Sequence, residues 1–404
     1  MQQFDKASKF KQASFSSLMI LAIVFATLFS GCDSDNAKVS NDGTSASQVI
    51  SAKNGGTMTV VSSNSALNGL EVVFPPGSLS GKEETIRAEH KTGLPGPMQQ
   101  GLVDLGAQAI SPTIVMTRSH EGELGDSVLL RLPVRPEALQ TMDVMATFWD
   151  PQRGRYAPLD IESIDKNNGY VNVVTRHFTT FVVFGFVIET FDSIKVKPTF
   201  NPALHGFEHP NISTVYNGGD CYGIVAFSRW HWQHRTDSPL YNRFGGGDRS
   251  FTGDSIVREI MSAAQMATDV ENRRVFGATF TEHTPDTKTD IEVLHGRRLM
   301  AQLIADGPQL FMFGSNKWTD NRRLGHAVLV YQFDADVLNG GTFLAYDSNF
   351  PHPDPRGPLA IRWSVKNGFS LTYPDRPEGT IIDHLWLTSA DRWSSPEHMS
   401  EIES

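Results

Sequence analysis

Short apolar runs separated by turn residues fill the first half of the chain. They are rich in β-branched and aromatic residues, which suit strands, and comprise TMTVV (57–61), LEVVF (70–74), TIRAEH (85–90), SVLLRLPV (127–134), DVMATFWD (143–150), YVNVVT (170–175) and FTTFVVFGFVI (178–188). Between them, PPGSLSG, DPQRG and KNNG combine Pro, which restricts φ, with Gly and Asn, which accept positive φ. This spacing predicts an all-β antiparallel sandwich over residues 55–188.

Four stretches of this half carry a family resemblance. LEVVFPPGSLSG, AISPTIVM, SVLLRLPV and HFTTFVVF resemble the β-sandwich domain shared by ankyrins and netrin receptors. The Pro-Pro-Gly turn after a strand and the closing His-Phe-Thr strand are the main points of likeness. The resemblance implies an interaction and spacing module that has no catalytic residues.

The pattern changes after a Pro-containing connector at 189–213. Apolar residues at helical spacing predict helices over 221–234, 253–270 and 290–307, with Asp290 as an N-cap and Gly307 as a stop. Apolar strand patterns follow at 308–314, 326–334, 342–347, 359–363 and 380–389. Helices followed by antiparallel strands predict an α+β domain over 214–396, ending in a tail at 397–404. The chain is thus expected to be multidomain.

The N-terminus has the pattern of an export signal. Lysines precede the apolar run SLMILAIVFATLF (17–29), which is too short for a comfortable membrane span and predicts a signal peptide. LFSGC (28–32) resembles the bacterial lipobox, which implies removal of residues 1–31 and lipidation of Cys32. The protein would then be anchored to a bacterial membrane on the extracytoplasmic side, in the cell envelope. The alternative is a plain signal peptide cut elsewhere. Polar residues 32–54 predict a flexible tether.

Composition narrows the function classes. The 404 residues carry a formal net charge of −10, which argues against nucleic acid as a partner because a binder needs a basic face. His231 and His234 lack Cys or carboxylate partners at metal-site spacing, and no motif indicates a cofactor, so we expect neither a metal nor a cofactor. The chain has two cysteines. If Cys32 is lipidated, Cys221 is the single free thiol.

Cys221 stands where a reactive thiol would be expected. It begins a predicted helix in GGDCYGIVAF (218–227), and Asp220 can cap that helix. Unpaired N–H groups and the helix dipole favour the thiolate, which is the nucleophilic form. Neighbouring glycines such as Gly223 allow close approach of a substrate backbone. The alternative is a buried cysteine that serves as a small apolar residue.

A base and an orienting group follow on two predicted strands. His326 begins the strand HAVLVYQFD, and Asp347 ends the strand TFLAYD. The short link ADVLNGG (335–341) predicts a hairpin, which places the start of one strand beside the end of the other. Asp347 could therefore hold the imidazole of His326 in one tautomer. Asn349 is the alternative orienting residue.

The order of Cys221, His326 and Asp347 resembles that of papain-like cysteine peptidases, especially bacteriocin-processing and related bacterial branches. The resemblance implies a cysteine hydrolase that cleaves peptide or isopeptide amides through a thioester acyl-enzyme. Val215 stands where papain has a glutamine that helps hold the oxyanion. Asn217 is the nearest amide and the predicted oxyanion donor, together with backbone N–H groups. Two alternatives are a peptidoglycan amide hydrolase and a non-catalytic adhesion or scaffold lipoprotein.

Overall fold

The computed structural model describes most of the chain after residue 36. The described residues are 37–120, 122, 124–187, 195–196, 200–211, 220–235, 238–241, 243, 259–265, 288–315, 324–337, 339–351, 357–373, 376–380, 384–388 and 399. Ala37–Ser404 forms one compact unit. Over the described residues the protein is rich in β-structure, with three antiparallel sheets and few helices.

Thirteen strands and two short helices make up the first half. The strands are β1 (Lys38–Val39), β2 (Ser45–Ser51), β3 (Gly56–Thr59), β4 (Glu71–Phe74), β5 (Glu83–Lys91), β6 (Gln108–Ala109), β7 (Thr113–Arg118), β8 (Val128–Pro133), β9 (Asp143–Asp150), β10 (Arg155–Pro158), β11 (Asp160–Asp165), β12 (Tyr170–Thr175) and β13 (Thr180–Phe186) among the described residues. The helices are α1 (Gln100–Asp104) and α2 (Pro136–Thr141).

The thirteen strands form two sheets that share one core. The first has the order β1-β2-β5-β7-β13-β9-β10, with β6 on β13, and the second has the order β11-β12-β8-β4-β3. Alternate residues of both sheets are buried in one cluster, for example Ile86 and Phe181 of the first sheet with Val72 and Leu130 of the second. This alternation is what a two-sheet antiparallel packing requires.

The prediction of a flexible tether over 32–54 is wrong for residues 37–54. Strand β2 pairs with β5 along its whole length, from Ser45 opposite Glu89 to Ser51 opposite Glu83. Ile50 is buried in the sandwich core. The stretch is polar in composition, but its backbone groups are satisfied by a strand about 40 residues further along the chain. Residues 32–36 lie outside the described part.

The second half contains eight strands and four helices among its described residues. The strands are β14 (Lys195–Val196), β15 (Gln309–Ser315), β16 (Leu324–Val337), β17 (Gly340–Tyr346), β18 (Leu359–Ser364), β19 (Gly368–Tyr373), β20 (Arg376–Thr380) and β21 (His384–Thr388). The helices are α3 (Pro202–His205), α4 (Cys221–His234), α5 at 259–265 and α6 (Lys288–Asp306). The rest of the helix predicted at 253–270 lies outside the described residues.

These strands form a third sheet with helices on both faces. Its order is β20-β19-β18-β17-β16-β15-β21, with β14 on β16. Phe311 and Val330 face a core that also contains Leu299 of α6 and Phe184 of the sandwich. The opposite face packs on α4 and α5. Burial on both faces accounts for the continuous apolar runs of β15 and β16, and α6 joins the two halves through one core.

The structure adds detail to four of the predictions. Asp290 lies inside α6 rather than capping it, whereas Gly307 (φ +78°) ends that helix as predicted. The connector at 189–213 takes part in the fold, because β14 pairs with β16. Strands β10, β11 and β19 had no predicted counterpart, since their short, mixed sequences lack a clear period. In the predicted tail, Met399 is buried in a core cluster.

Candidate active site

Cys221 is the first residue of α4. Every residue from Cys221 to His231 is buried, as expected of a helix covered by other elements rather than lying on a surface. Cys221 itself is 8% exposed, a value that would also suit a purely structural cysteine. Its thiol, however, is close enough to the imidazole of His326 to raise the pKa of that ring, a proximity that apolar packing does not require.

The N-terminus of α4 is held differently from the prediction. Asp220 occupies the N-cap position, but its side chain makes no capping hydrogen bond. Instead, Gln265 of α5 accepts a hydrogen bond from the N–H of Gly223 through its Oε1, at 2.8 Å. A Cβ on Gly223 would lie 2.3 Å from the backbone nitrogen of Gln265. The glycine therefore permits close packing of α5 on α4, and the predicted approach of a substrate backbone at Gly223 is wrong.

The hairpin β16–β17 brings His326 and Asp347 together. The strands pair antiparallel with two register shifts, one between Val330 and Gln332 and one near the turn. His326 is the third residue of β16, and Asp347 directly follows β17. The ring nitrogen Nε2 lies 2.7 Å from Asp347 Oδ1. Since a carboxylate only accepts, the ring N–H donates, and Nδ1 is the nitrogen left for Cys221.

The surroundings of His326 keep its ring protonated. Burial by itself would lower the pKa of the imidazole, but the charge and hydrogen bond of Asp347, followed by those of Cys221, raise it to about 10. The ring is therefore an imidazolium at neutral pH. A positive partner of this kind is what stabilises the thiolate of reactive cysteines.

Asp347 is in turn fixed by its neighbours. Its Oδ1 also accepts from the backbone N–H of Asn349 at 2.8 Å, and the residue is 3% exposed. The side chain of Asn349, the alternative orienting residue, instead accepts through Oδ1 from Nδ2 of Asn211 at 2.9 Å. Burial raises the pKa of Tyr346, so a neutral phenol adjoins Asp347. The orienting contact that the structure places on His326 is thus that of Asp347.

Asn211 is a residue of this site that the sequence analysis missed. Its backbone N–H donates to the carbonyl of Ser348 at 2.6 Å. Its Oδ1 accepts from the N–H of Asp220 at 2.7 Å. The sequence offers no signal for it, because a lone Asn before a polar stretch is usually a turn residue.

Two predicted site residues are not described by the structure. Asn217, the predicted oxyanion donor, and Cys32, the predicted lipidation site, lie outside the described residues. Within the described part, no group of three His, Cys, Asp or Glu side chains is arranged to hold a metal ion. In that same part, no helix is long and apolar enough to cross a membrane.

No protein-family model matches the sequence, and no curated protein matches it. The resemblances to papain-like peptidases, to the ankyrin and netrin-receptor sandwich and to the lipobox therefore stay predictions. What bears on function is the local geometry. A thiol at a helix start, an imidazolium and a buried carboxylate lie in one hydrogen-bonded series.

Proposed function

We propose that this protein is a cysteine hydrolase of the cell envelope that cleaves peptide or isopeptide amides, with a papain-like arrangement of catalytic groups. The single observation that carries the proposal is that Cys221 and Asp347 both interact with the imidazole of His326, with a hydrogen bond of 2.7 Å to Asp347. The envelope location rests on the LFSGC motif, through which Cys32 would be lipidated on the extracytoplasmic side.

Each residue has a defined step in this reaction. The Cys221 sulfur attacks the amide carbonyl carbon and forms a C–S bond, giving a tetrahedral oxyanion. His326 gives its proton to the amine nitrogen as the C–N bond breaks, which leaves a thioester. Water then attacks the thioester and passes a proton to His326. The C–S bond breaks, and the acid product and the thiolate are released.

Preorganised groups lower the barriers to formation and to hydrolysis of the thioester. Asp347 holds the ring so that one nitrogen always faces the sulfur, and its charge stabilises the imidazolium. The oxyanion would be held by the backbone N–H of Cys221 at the start of α4, and by the amide of Asn217. A substrate carbonyl must therefore lie at the N-terminal end of α4, beside Cys221.

The first test is selective alkylation of the full chain by iodoacetamide, with mass spectrometry of the peptide that contains Cys221. At pH 6 the native thiol should react faster than the same thiol in urea, because the imidazolium favours the thiolate only in the folded state. His326→Ala should lower the rate. A native rate equal to the unfolded rate would refute the proposal.

The second test is hydrolysis of a fluorogenic peptide library. Cys221→Ala should abolish turnover, and His326→Ala should reduce it by about 10²–10⁴-fold, since positioned acid–base groups contribute that much. Asp347→Asn, which keeps the shape and an acceptor but loses the charge, should give an intermediate loss. Turnover that survives in Cys221→Ala would overturn the assignment of the nucleophile.

A further inference from the structure

Asn211 bonds to the two segments that carry the proposed catalytic groups. On one side it reaches Asp220, the residue before Cys221. On the other it reaches Ser348 and Asn349, the two residues after Asp347. The bonds to Asp220 and Asn349, at 2.7 and 2.9 Å, lie within the usual range for N–H···O, and the backbone bond to Ser348, at 2.6 Å, is slightly shorter.

We propose that Asn211 is a positioning residue that sets the distance between the Cys221 thiol and the His326–Asp347 pair; this inference rests on the proposed function. Cys221 begins a helix, whereas His326 and Asp347 lie on a hairpin, so packing of the helix on the sheet must define their separation. Asn211 ties the backbone just before the helix to the backbone just after the hairpin. The side-chain amide is suited to this because it offers one acceptor and two donors.

The bond to Asp220 acts on the nucleophile in particular. The N–H of Asp220 lies one residue before Cys221, so its acceptor determines where the helix begins and which way the first turn faces. The bond to Asn349 acts on Asp347, because the N–H of Asn349 donates to the Oδ1 that also contacts His326. Loss of Asn211 would therefore loosen both ends of the hydrogen-bonded series.

Three variants of Asn211 distinguish the loss of its side-chain hydrogen bonds from the loss of its side-chain volume. Asn211→Leu keeps the approximate size and removes the side-chain hydrogen bonds, and Asn211→Ala removes the size as well. Asn211→Asp keeps an acceptor for the N–H of Asp220, and its second oxygen can accept from the amide of Asn349 once that amide rotates. If Asn211 has a positioning role, the Leu and Ala variants should lose hydrolytic activity and the Asp variant should keep most of it.

The experiment measures iodoacetamide alkylation of Cys221 in the full chain at pH 6 and pH 9, with circular dichroism as the check of folding. Without its positive partner a thiol ionises mainly above neutral pH. Asn211→Leu should therefore react at least about tenfold more slowly than the native protein at pH 6, a loss typical of misplaced reacting groups. At pH 9 it should react at nearly the native rate.

The outcomes distinguish this inference from the proposed function. If the native protein alkylates at pH 6 no faster than in urea, the proposed function fails. If the native protein alkylates rapidly and Asn211→Leu keeps the native ratio of the pH 6 and pH 9 rates, only the positioning role is refuted. A folded Asn211→Asp protein that reacts no faster than Asn211→Leu would also refute that role, because the retained acceptor should restore the contact to Asp220.

Discussion

Replacing Asp306 by Asn should destabilise the whole compact unit. Asp306 is the last residue of α6 and is fully buried. Its Oδ1 lies 3.3 Å from Nη1 of Arg153 and 2.9 Å from Nη2 of Arg155, both from the β9–β10 hairpin. Its Oδ2 contacts Nη2 of Arg229 on α4, the helix that begins with Cys221. One carboxylate thus joins the sandwich to the helix of the candidate nucleophile.

The size of the expected destabilisation follows from how deeply the three arginine partners of Asp306 are buried. The Arg229 side chain is 1% exposed, compared with 12% for Arg153 and 23% for Arg155, so water cannot replace the lost charge at Arg229. Arginine stays protonated at all accessible pH values. Leaving a buried charge without its partner costs about 3–5 kcal/mol. For a unit of about 370 residues, that corresponds to a midpoint lower by roughly 4–6 °C.

Thermal and urea unfolding of the native protein and of Asp306→Asn are the measurements. Asp104→Asn on α1 is the matched control, because that carboxylate is exposed and should change stability little. Slower alkylation of Cys221 in Asp306→Asn would further indicate that the ion pairs of Asp306 orient α4. A midpoint equal to that of Asp104→Asn would refute the reasoning, since it would mean that the three guanidinium groups do not depend on Asp306.

Three other predictions concern the site and the sandwich. Because the pKa of His326 is raised to about 10, its imidazolium contributes fully to stability and to proton donation below pH 6.5, the ordinary pKa of histidine, and this contribution is lost as the pH rises through about 10. The rate at which an epoxide labels Cys221 should therefore fall above pH 10, because opening of the epoxide consumes a proton. An epoxide rate that follows the iodoacetamide rate across this pH range would contradict the prediction. Gly223→Ala should lower the melting temperature and slow Cys221 alkylation, because backbone atoms of α5 occupy the space for a Cβ; unchanged values would show that the helices separate freely. Ile50→Asp should unfold the edge of the sandwich, as seen by proteolysis of β2, whereas the neighbouring Val49→Asp, at a position 58% exposed, should not; equal sensitivity of the two would contradict the burial of Ile50.

The parts of the fold that could be predicted are those with a strong local signal. Strands β9 and β12 begin and end at the predicted residues, because their apolar residues, continuous in β9 and alternating in β12, lie between clear turns. The hairpin that joins His326 to Asp347 was predictable from the length of its loop. The register was not, since the two shifts in the β16–β17 pairing leave no sequence signature.

Other features depend on residues far apart in the chain. A polar stretch such as Ser45–Ser51 has no period that marks it as a strand, and it is ordered by its partner β5. Gln265 replaces Asp220 as the group that satisfies the start of α4. Side-chain propensity favoured Asp220, but tertiary packing placed the amide oxygen of Gln265 there.

The sequence by itself determined that the chain has a β-rich first half, and that a cysteine at a helix start is followed by a histidine and an aspartate on adjoining strands. Local periodicity and turn chemistry are enough for that. Only the tertiary structure decided that the sandwich and the second half share one core through α6, and that Asn211 and Asp306 connect α4 to its surroundings. These contacts depend on helix rotation and strand register, which arise when distant segments pack and which no local pattern encodes.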